Sequence, residues 1–166
     1  MKTALIVVDI QKYFIKGQTK HLPKKIKDYI IENKFDFIAF TKFINNKKSN
    51  FAKSLGWYRC RGSPDTDIPR QLLKFARPSN VFEKSTFSAF KNKKLVNTLR
   101  QRRIKRLYIC GTDSDACVLA SAFDAFDLGF EIIVLKDLCA SCNGNRYHEY
   151  GKQIIERNLE SLAQNR

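Results

Sequence analysis

Residues 3–10 form a nearly unbroken apolar run that ends in Asp9-Ile10-Gln11. Runs of this kind belong to strands buried on both faces, as in parallel sheets. Leu22, Ile26, Tyr29 and Ile30 then recur at helical spacing, with Pro23 near the start, and predict a crossover helix. The pattern repeats along the chain. Strands are predicted at 35–41, 79–82, 107–110 and 131–135. Helices are predicted from Leu95, Val96 and Leu99, from the apolar face of 119–126, and from Tyr147, Gly151, Ile154, Ile155, Leu159 and Leu162. Residues 43–69 keep no period and are rich in Asn, Lys, Ser, Gly and Pro, so they read as a long excursion. Strands alternating with helices give an α/β three-layer sandwich, with a mostly parallel sheet of five to six strands and a Rossmann-like order of elements. No internal repeat appears, and residues 1–166 read as one domain.

Composition narrows the class. A 166-residue chain with 43% hydrophobic residues can bury a sizeable core. No apolar run approaches the roughly 18 residues of a membrane span. The apolar N-terminus has no small-residue cleavage site after it and reads as a strand. The five cysteines, at 60, 110, 117, 139 and 142, do not form a secreted disulfide pattern, so a cytoplasmic location is expected. The Cys139-Ala140-Ser141-Cys142 spacing leaves a redox pair open. The net charge of +15 leaves a nucleic-acid or anionic-ligand binding protein open as well. Its densest run, Arg100-Gln101-Arg102-Arg103-Ile104-Lys105-Arg106, equally suits a solvated helix end. No nucleic-acid-binding motif accompanies it.

Chemistry concentrates at strand ends. In open parallel sheets, ligands bind beyond the carboxyl ends of the strands. Asp9 and Lys84 both follow predicted strands. Cys117 lies in Gly111-Thr112-Asp113-Ser114-Asp115-Ala116-Cys117-Val118, a turn between a buried strand and a helix. A helix N-terminus favours thiolate over thiol. The same cysteine also reads as a small buried apolar residue. A buried carboxylate at Asp9 is costly unless paired or functional.

These three stretches together resemble the isochorismatase-like cysteine hydrolases, a family that includes nicotinamidases, N-carbamoylsarcosine amidases and ureidoacrylate amidohydrolases. The resemblance rests on Ala4-Leu5-Ile6-Val7-Val8-Asp9-Ile10-Gln11 with Phe14, on Lys84-Ser85-Thr86-Phe87-Ser88-Ala89-Phe90, and on the turn ending at Cys117-Val118. It implies an isochorismatase-type fold and an Asp9–Lys84–Cys117 triad. Lys84 would favour thiolate, Asp9 would move the proton, and Cys117 would form a thioester. It also implies an oxyanion hole from the backbone N–H groups of Asp113 and Cys117, with a cis bond between Thr112 and Asp113. The Asp113 side chain is a departure, because small apolar residues are usual there.

Further departures bear on the substrate. Nicotinamidases of the family hold a metal through an Asp-x-His pair after the second strand and a later His. Here that stretch is Thr41-Lys42-Phe43-Ile44-Asn45-Asn46, and the histidines are His21 and His148, both at predicted helices. A metal-free enzyme without cofactor is therefore expected. The cysteine itself favours amide-type hydrolysis over vinyl-ether cleavage. Phe14, Phe43, Trp57 and Phe87 are candidate pocket walls or core residues, and Gln11 is a candidate support for Asp9. The implied substrate is a small amide or ureido compound, and the implied assembly is a homo-oligomer, a dimer or tetramer.

Overall fold

The computed structural model describes residues 1–160; Leu162 of the predicted last helix lies outside them. Five strands form the sheet: β1 (Thr3–Val8), β2 (Phe37–Phe43), β3 (Val81–Lys84), β4 (Arg106–Gly111) and β5 (Glu131–Cys139). Their order is β3-β2-β1-β4-β5, and every neighbouring pair is parallel. Five helices connect or follow them: α1 (Leu22–Glu32), α2 (Asn50–Leu55), α3 (Lys93–Gln101), α4 (Cys117–Asp127) and α5 (Asn145–Ile155). A π turn at Glu156–Glu160 extends α5.

The central strand explains the layering. Successive side chains of a strand point to opposite faces. Ala4, Leu5, Ile6, Val7 and Val8 are nevertheless all fully buried, so both faces of β1 are covered. Leu22 and Ile26 of α1, Leu95 and Leu99 of α3, and Val118 and Ala122 of α4 join the same core. The strand order reverses between β1 and β4. One half of the sheet grows outward through β2 and β3, the other through β5. The crevice at such a reversal is where open α/β sheets bind ligands.

Several elements extend beyond the ranges predicted from pattern. β2 and β3 each end two residues later than expected, which makes Lys84 the last residue of β3. β5 runs on to Cys139, with a register irregularity against β4 between Ile109 and Gly111. That irregularity carries the Cys139–Cys142 segment to the end of β4, where Ala140 N–H donates to Gly111 O at 3.3 Å. Residues 43–69 contain α2, capped by Ser49 Oγ on Ala52 N–H and ended by Gly56 at φ 64°.

The Arg100–Arg106 run lies at the amino edge of the sheet, opposite the crevice. Part of its charge is used structurally. Arg106 pairs with Glu131 at 3.0 Å, and Arg102 lies over the Phe37 ring at 4.4 Å. Among the described residues, no helix is long and apolar enough to cross a membrane.

Gly111 is where β4 must leave the sheet. Its φ is 131°, and a Cβ there would lie 2.1 Å from Val8 O. Backbone contact at that distance cannot be relieved by a side-chain rotation. Gly111→Ala should therefore cost about 2 kcal/mol or more in urea unfolding. A loss under about 0.5 kcal/mol, the usual range for an indifferent surface site, would contradict this packing.

Candidate active site

Three strand ends converge in the crevice. Asp9 follows β1, with φ 49° in the left-handed region, and turns the chain off the strand. Lys84 closes β3, and Cys117 opens α4 after the turn that follows β4. Lys84 Nζ lies 2.6 Å from Asp9 Oδ2 and 3.6 Å from Cys117 Sγ. The Lys84 and Asp9 side chains are 1% and 0% exposed, so this is a desolvated ion pair.

Each member is held. Asp9 Oδ1 accepts from Thr41 Oγ1 at 2.7 Å, and Asp9 N–H donates back to Thr41 Oγ1 at 3.1 Å. Oδ2 is the oxygen that meets the Lys84 ammonium. Lys84 Nζ donates to the carbonyls of Thr86 and Phe87 at 2.8 and 3.0 Å. Ser121 Oγ ties α4 to the loop after β3: it donates to Cys117 O at 2.6 Å and accepts from Ala89 N–H at 2.9 Å.

Electrostatics make the site a shared proton system. Burial lowers the Lys84 pKa, but the Asp9 carboxylate and the Cys117 sulfur outweigh it and leave it above the ordinary lysine value. Burial lifts the Cys117 thiol well above the ordinary cysteine value; Asp9 adds to the rise and Lys84 opposes it. Lys84, which favours thiolate as the sequence suggested, is thus opposed by the desolvation of the sulfur and by the carboxylate beside it.

The turn before Cys117 is fixed from two sides. The Thr112–Asp113 peptide bond is cis. Thr112 Oγ1 donates to Asp9 O at 3.2 Å. Ser114 N–H donates to Ala140 O at 3.1 Å, and Ser114 Oγ lies 2.9 Å from His148 Nδ1. A Cβ on Gly151 of α5 would fall 2.4 Å from Ser114 O. Ser114, His148 and Gly151 support the turn. In sequence, Gly151 shows only as a member of a helical face.

A cavity of about 390 Å³ opens onto Cys117. Phe14, Phe43, Trp57 and Phe87 line it, as expected from sequence, together with Tyr13 and Phe51. Phe51 was hidden by the aperiodic excursion. Gln11 does not line the cavity, nor does its side chain bond that of Asp9. It is fully buried and clamps the backbone of Phe43: Oε1 accepts from Phe43 N–H at 2.5 Å and Nε2 donates to Phe43 O at 3.0 Å. A wider groove of about 810 Å³ runs behind Phe51, Leu55 and Phe87. It does not reach the sulfur, so the smaller cavity is the candidate site.

Lys16, Asp113, Cys142 and Asn143 form the polar side of the cavity. Asp113 Oδ1 accepts from Cys142 N–H at 2.6 Å, and Oδ2 lies 3.1 Å from Cys142 Sγ. Burial raises the Asp113 pKa, and the bonds from Cys142 offset part of the rise. The C-x-x-C cysteines have separate surroundings: Cys139 is buried and Cys142 faces Asp113. Burial pushes both thiols up to about 12, with Asp113 adding to the effect at Cys142.

The residues at the end of β2 and just after it do not fit a metal. Thr41 is engaged with Asp9, and Phe43 supplies a ring. Asn45 Nδ2 donates to Trp57 O at 2.8 Å, while its Oδ1 accepts from Ser49 Oγ at 2.5 Å. Among the described residues, no group of three or more His, Cys, Asp and Glu side chains could hold a metal ion.

Residues 3–162 match the description of the isochorismatase domain. The chain belongs to the isochorismatase family. Isochorismatase-family relatives include the Bacillus subtilis protein PncA, described as an uncharacterized isochorismatase family protein. It is 28% identical over 162 residues, covering 86% of this chain and 88% of its own. The solved structure of nicotinamidase PncA from Bacillus subtilis superposes with a TM-score of 0.81 at 24% identity, covering 96% and 97% of the two chains. N-carbamoylsarcosine amidase from Thermoplasma acidophilum superposes at 0.78 with 23% identity, covering 96% and 93%. The all-parallel five-stranded sheet flanked by helices matches the family fold.

The ion pair gives a direct test of the site's electrostatics. Lys84→Met would strand the Asp9 carboxylate, and breaking a buried pair this way costs about 3–5 kcal/mol. Adding Asp9→Asn should recover most of that loss in urea unfolding. A single variant within about 1 kcal/mol of the parent, or a double variant no better than the single, would contradict a desolvated pair.

Proposed function

We propose that this protein is a cysteine amidohydrolase that cleaves a C–N bond of a small amide or ureido compound, with Asp9, Lys84 and Cys117 as its catalytic residues. The observation that carries this reading is their meeting beside an aromatic-lined cavity, of which Cys117 itself forms part of the wall. Family membership and amidase-type structural neighbours support it.

The chemistry follows from the resting charges. The thiol starts neutral and the Asp9–Lys84 pair starts ionised. When a carbonyl carbon approaches Sγ, Asp9 takes the thiol proton and the thiolate attacks. Charge on the carbonyl oxygen is received by the backbone N–H groups of Asp113 and Cys117, at the first turn of α4. The tetrahedral centre collapses as Asp9 returns the proton to the leaving nitrogen. An amine or ammonia departs, and an acyl group remains as a thioester on Cys117. Asp9 then takes a proton from water, hydroxide adds to the thioester carbon, and the acid leaves as the thiol re-forms. Lys84 remains an ammonium throughout. It holds Oδ2 in place and offsets the negative charge as that charge moves between carboxylate and sulfur. No step calls for a metal ligand from this chain.

Cys117→Ala should abolish hydrolysis in a screen of small amides and ureides read by ammonia or amine release. It should unfold within about 1 kcal/mol of the parent, since the deletion is one small group at a cavity surface. Rapid acid quench of the parent during turnover should show one acyl adduct on the peptide carrying Cys117. Hydrolysis unchanged in Cys117→Ala would overturn the proposal.

A further inference from the structure

The turn before Cys117 carries Thr112, Asp113, Ser114 and Asp115, all of them residue types that cap helices. The structure uses them differently. Helix α4 opens at Cys117 after Ala116, and no side chain bonds the N–H groups at its start. The Ser114 hydroxyl goes instead to α5, where its Oγ lies 2.9 Å from His148 Nδ1. Ser114 is 1% exposed, so that hydroxyl is withdrawn from bulk water. The backbone of the turn matches this arrangement. Asp113 O accepts from the N–H groups of Ala116 and Val118, each at 3.0 Å. The N–H groups of Asp113 and Cys117, the pair assigned above to the oxyanion, donate to no acceptor among the described residues.

We propose that His148 is a positioning residue for those two donors, acting through Ser114. It has this role only on the hydrolase reading, which is what gives the donors an oxyanion to meet. His148 is not among the residues that line the Cys117 cavity, so it is not a catalytic residue. The other contacts of Ser114 hold its backbone. Its N–H donates to Ala140 O at 3.1 Å, and its O packs against Gly151. Among the described residues, His148 is what holds the side chain. A buried hydroxyl without a partner is costly, whereas removing both partners is nearly neutral. Ser114 stands in the same turn as the two free donors. Deprived of His148, its hydroxyl competes with the oxyanion for them and pulls the turn out of aim. Acyl transfer is sensitive to such small displacements, because donors stabilise the oxyanion only where they point at it.

The test compares two reagents on the full chain. With p-nitrophenyl acetate the reaction passes through a tetrahedral oxyanion: the acetyl group moves to Cys117 Sγ, and p-nitrophenol leaves with the thiol proton. Iodoacetamide alkylates the same sulfur by displacing iodide at a saturated carbon, with no oxyanion. Each rate is read by mass on the peptide carrying Cys117. Leu and Asn share a branched shape, but only Asn offers Ser114 Oγ a polar atom. His148→Leu should slow acylation about tenfold and leave alkylation within about twofold of the parent. His148→Asn should stay within about threefold of the parent with both reagents. Adding Ser114→Ala to His148→Leu removes the stranded hydroxyl and should recover most of the lost acylation rate. If the Leu variant does not fold, His148→Met serves the same comparison. Unchanged acylation in the apolar variant, an equal loss of alkylation, or no difference from His148→Asn would overturn the positioning role and leave the hydrolase reading standing. A parent alkylated at Cys117 but never acylated there would overturn the hydrolase reading, and the positioning role with it.

Discussion

The site depends on one buried ion pair, Asp9 with Lys84 at 2.6 Å. Removing two charges from water is expensive, and an apolar pair of the same volume is often as stable or more so. Stability is therefore a weak reason for the pair to exist. Chemistry is a stronger one, because the pair sits beside Cys117, whose sulfur lies 3.6 Å from Lys84 Nζ at an aromatic cavity. It also sets the surroundings. Thr41 fixes one carboxylate oxygen, the Thr86 and Phe87 carbonyls fix the ammonium, and the other carboxylate oxygen faces that ammonium.

The fold serves this arrangement by bringing three distant strand ends together. β1 and β4 are neighbours at the reversal of strand order, so residues 9 and 117 meet although the sequence separates them widely. β3 lies two strands away, and Lys84 spans the gap with its long side chain. Close packing then locks the turn before Cys117. Gly111 lets β4 approach Val8, and Gly151 lets α5 approach Ser114. Neither glycine touches the cavity, yet each leaves space that no other residue would.

Much of this was legible in the sequence, and the reasons are physical. Strands buried on both faces appear as continuous apolar runs, so β1 and β4 and the residues at their ends could be read directly. Phe14, Phe43, Trp57 and Phe87 stayed open in sequence between pocket wall and core, and the structure places all four along the cavity. What could not be read depends on tertiary contact. Phe51 sits in an excursion without period. Gln11 looked like a partner for Asp9 but clamps the backbone of β2, a bond that exists only once β1 and β2 pair. The lysine and helix position that favour thiolate at Cys117 are visible in sequence, whereas the desolvation of the sulfur is not.

The central claim is that the resting sulfur is a neutral thiol whose proton is destined for Asp9. Thiolate absorbs near 240 nm, so the difference in absorbance between the parent and Cys117→Ala, followed with pH, counts ionisation at that one sulfur. The raised pKa predicts no step through neutral pH and a rise only above the ordinary cysteine range. In an Asp9→Asn background, with Lys84 left as the nearest charge, the step should move to lower pH. A full thiolate signal in the parent at pH 7 would contradict the account. Cys117 and Lys84 would then form a standing ion pair, and Asp9 would have no thiol proton to take.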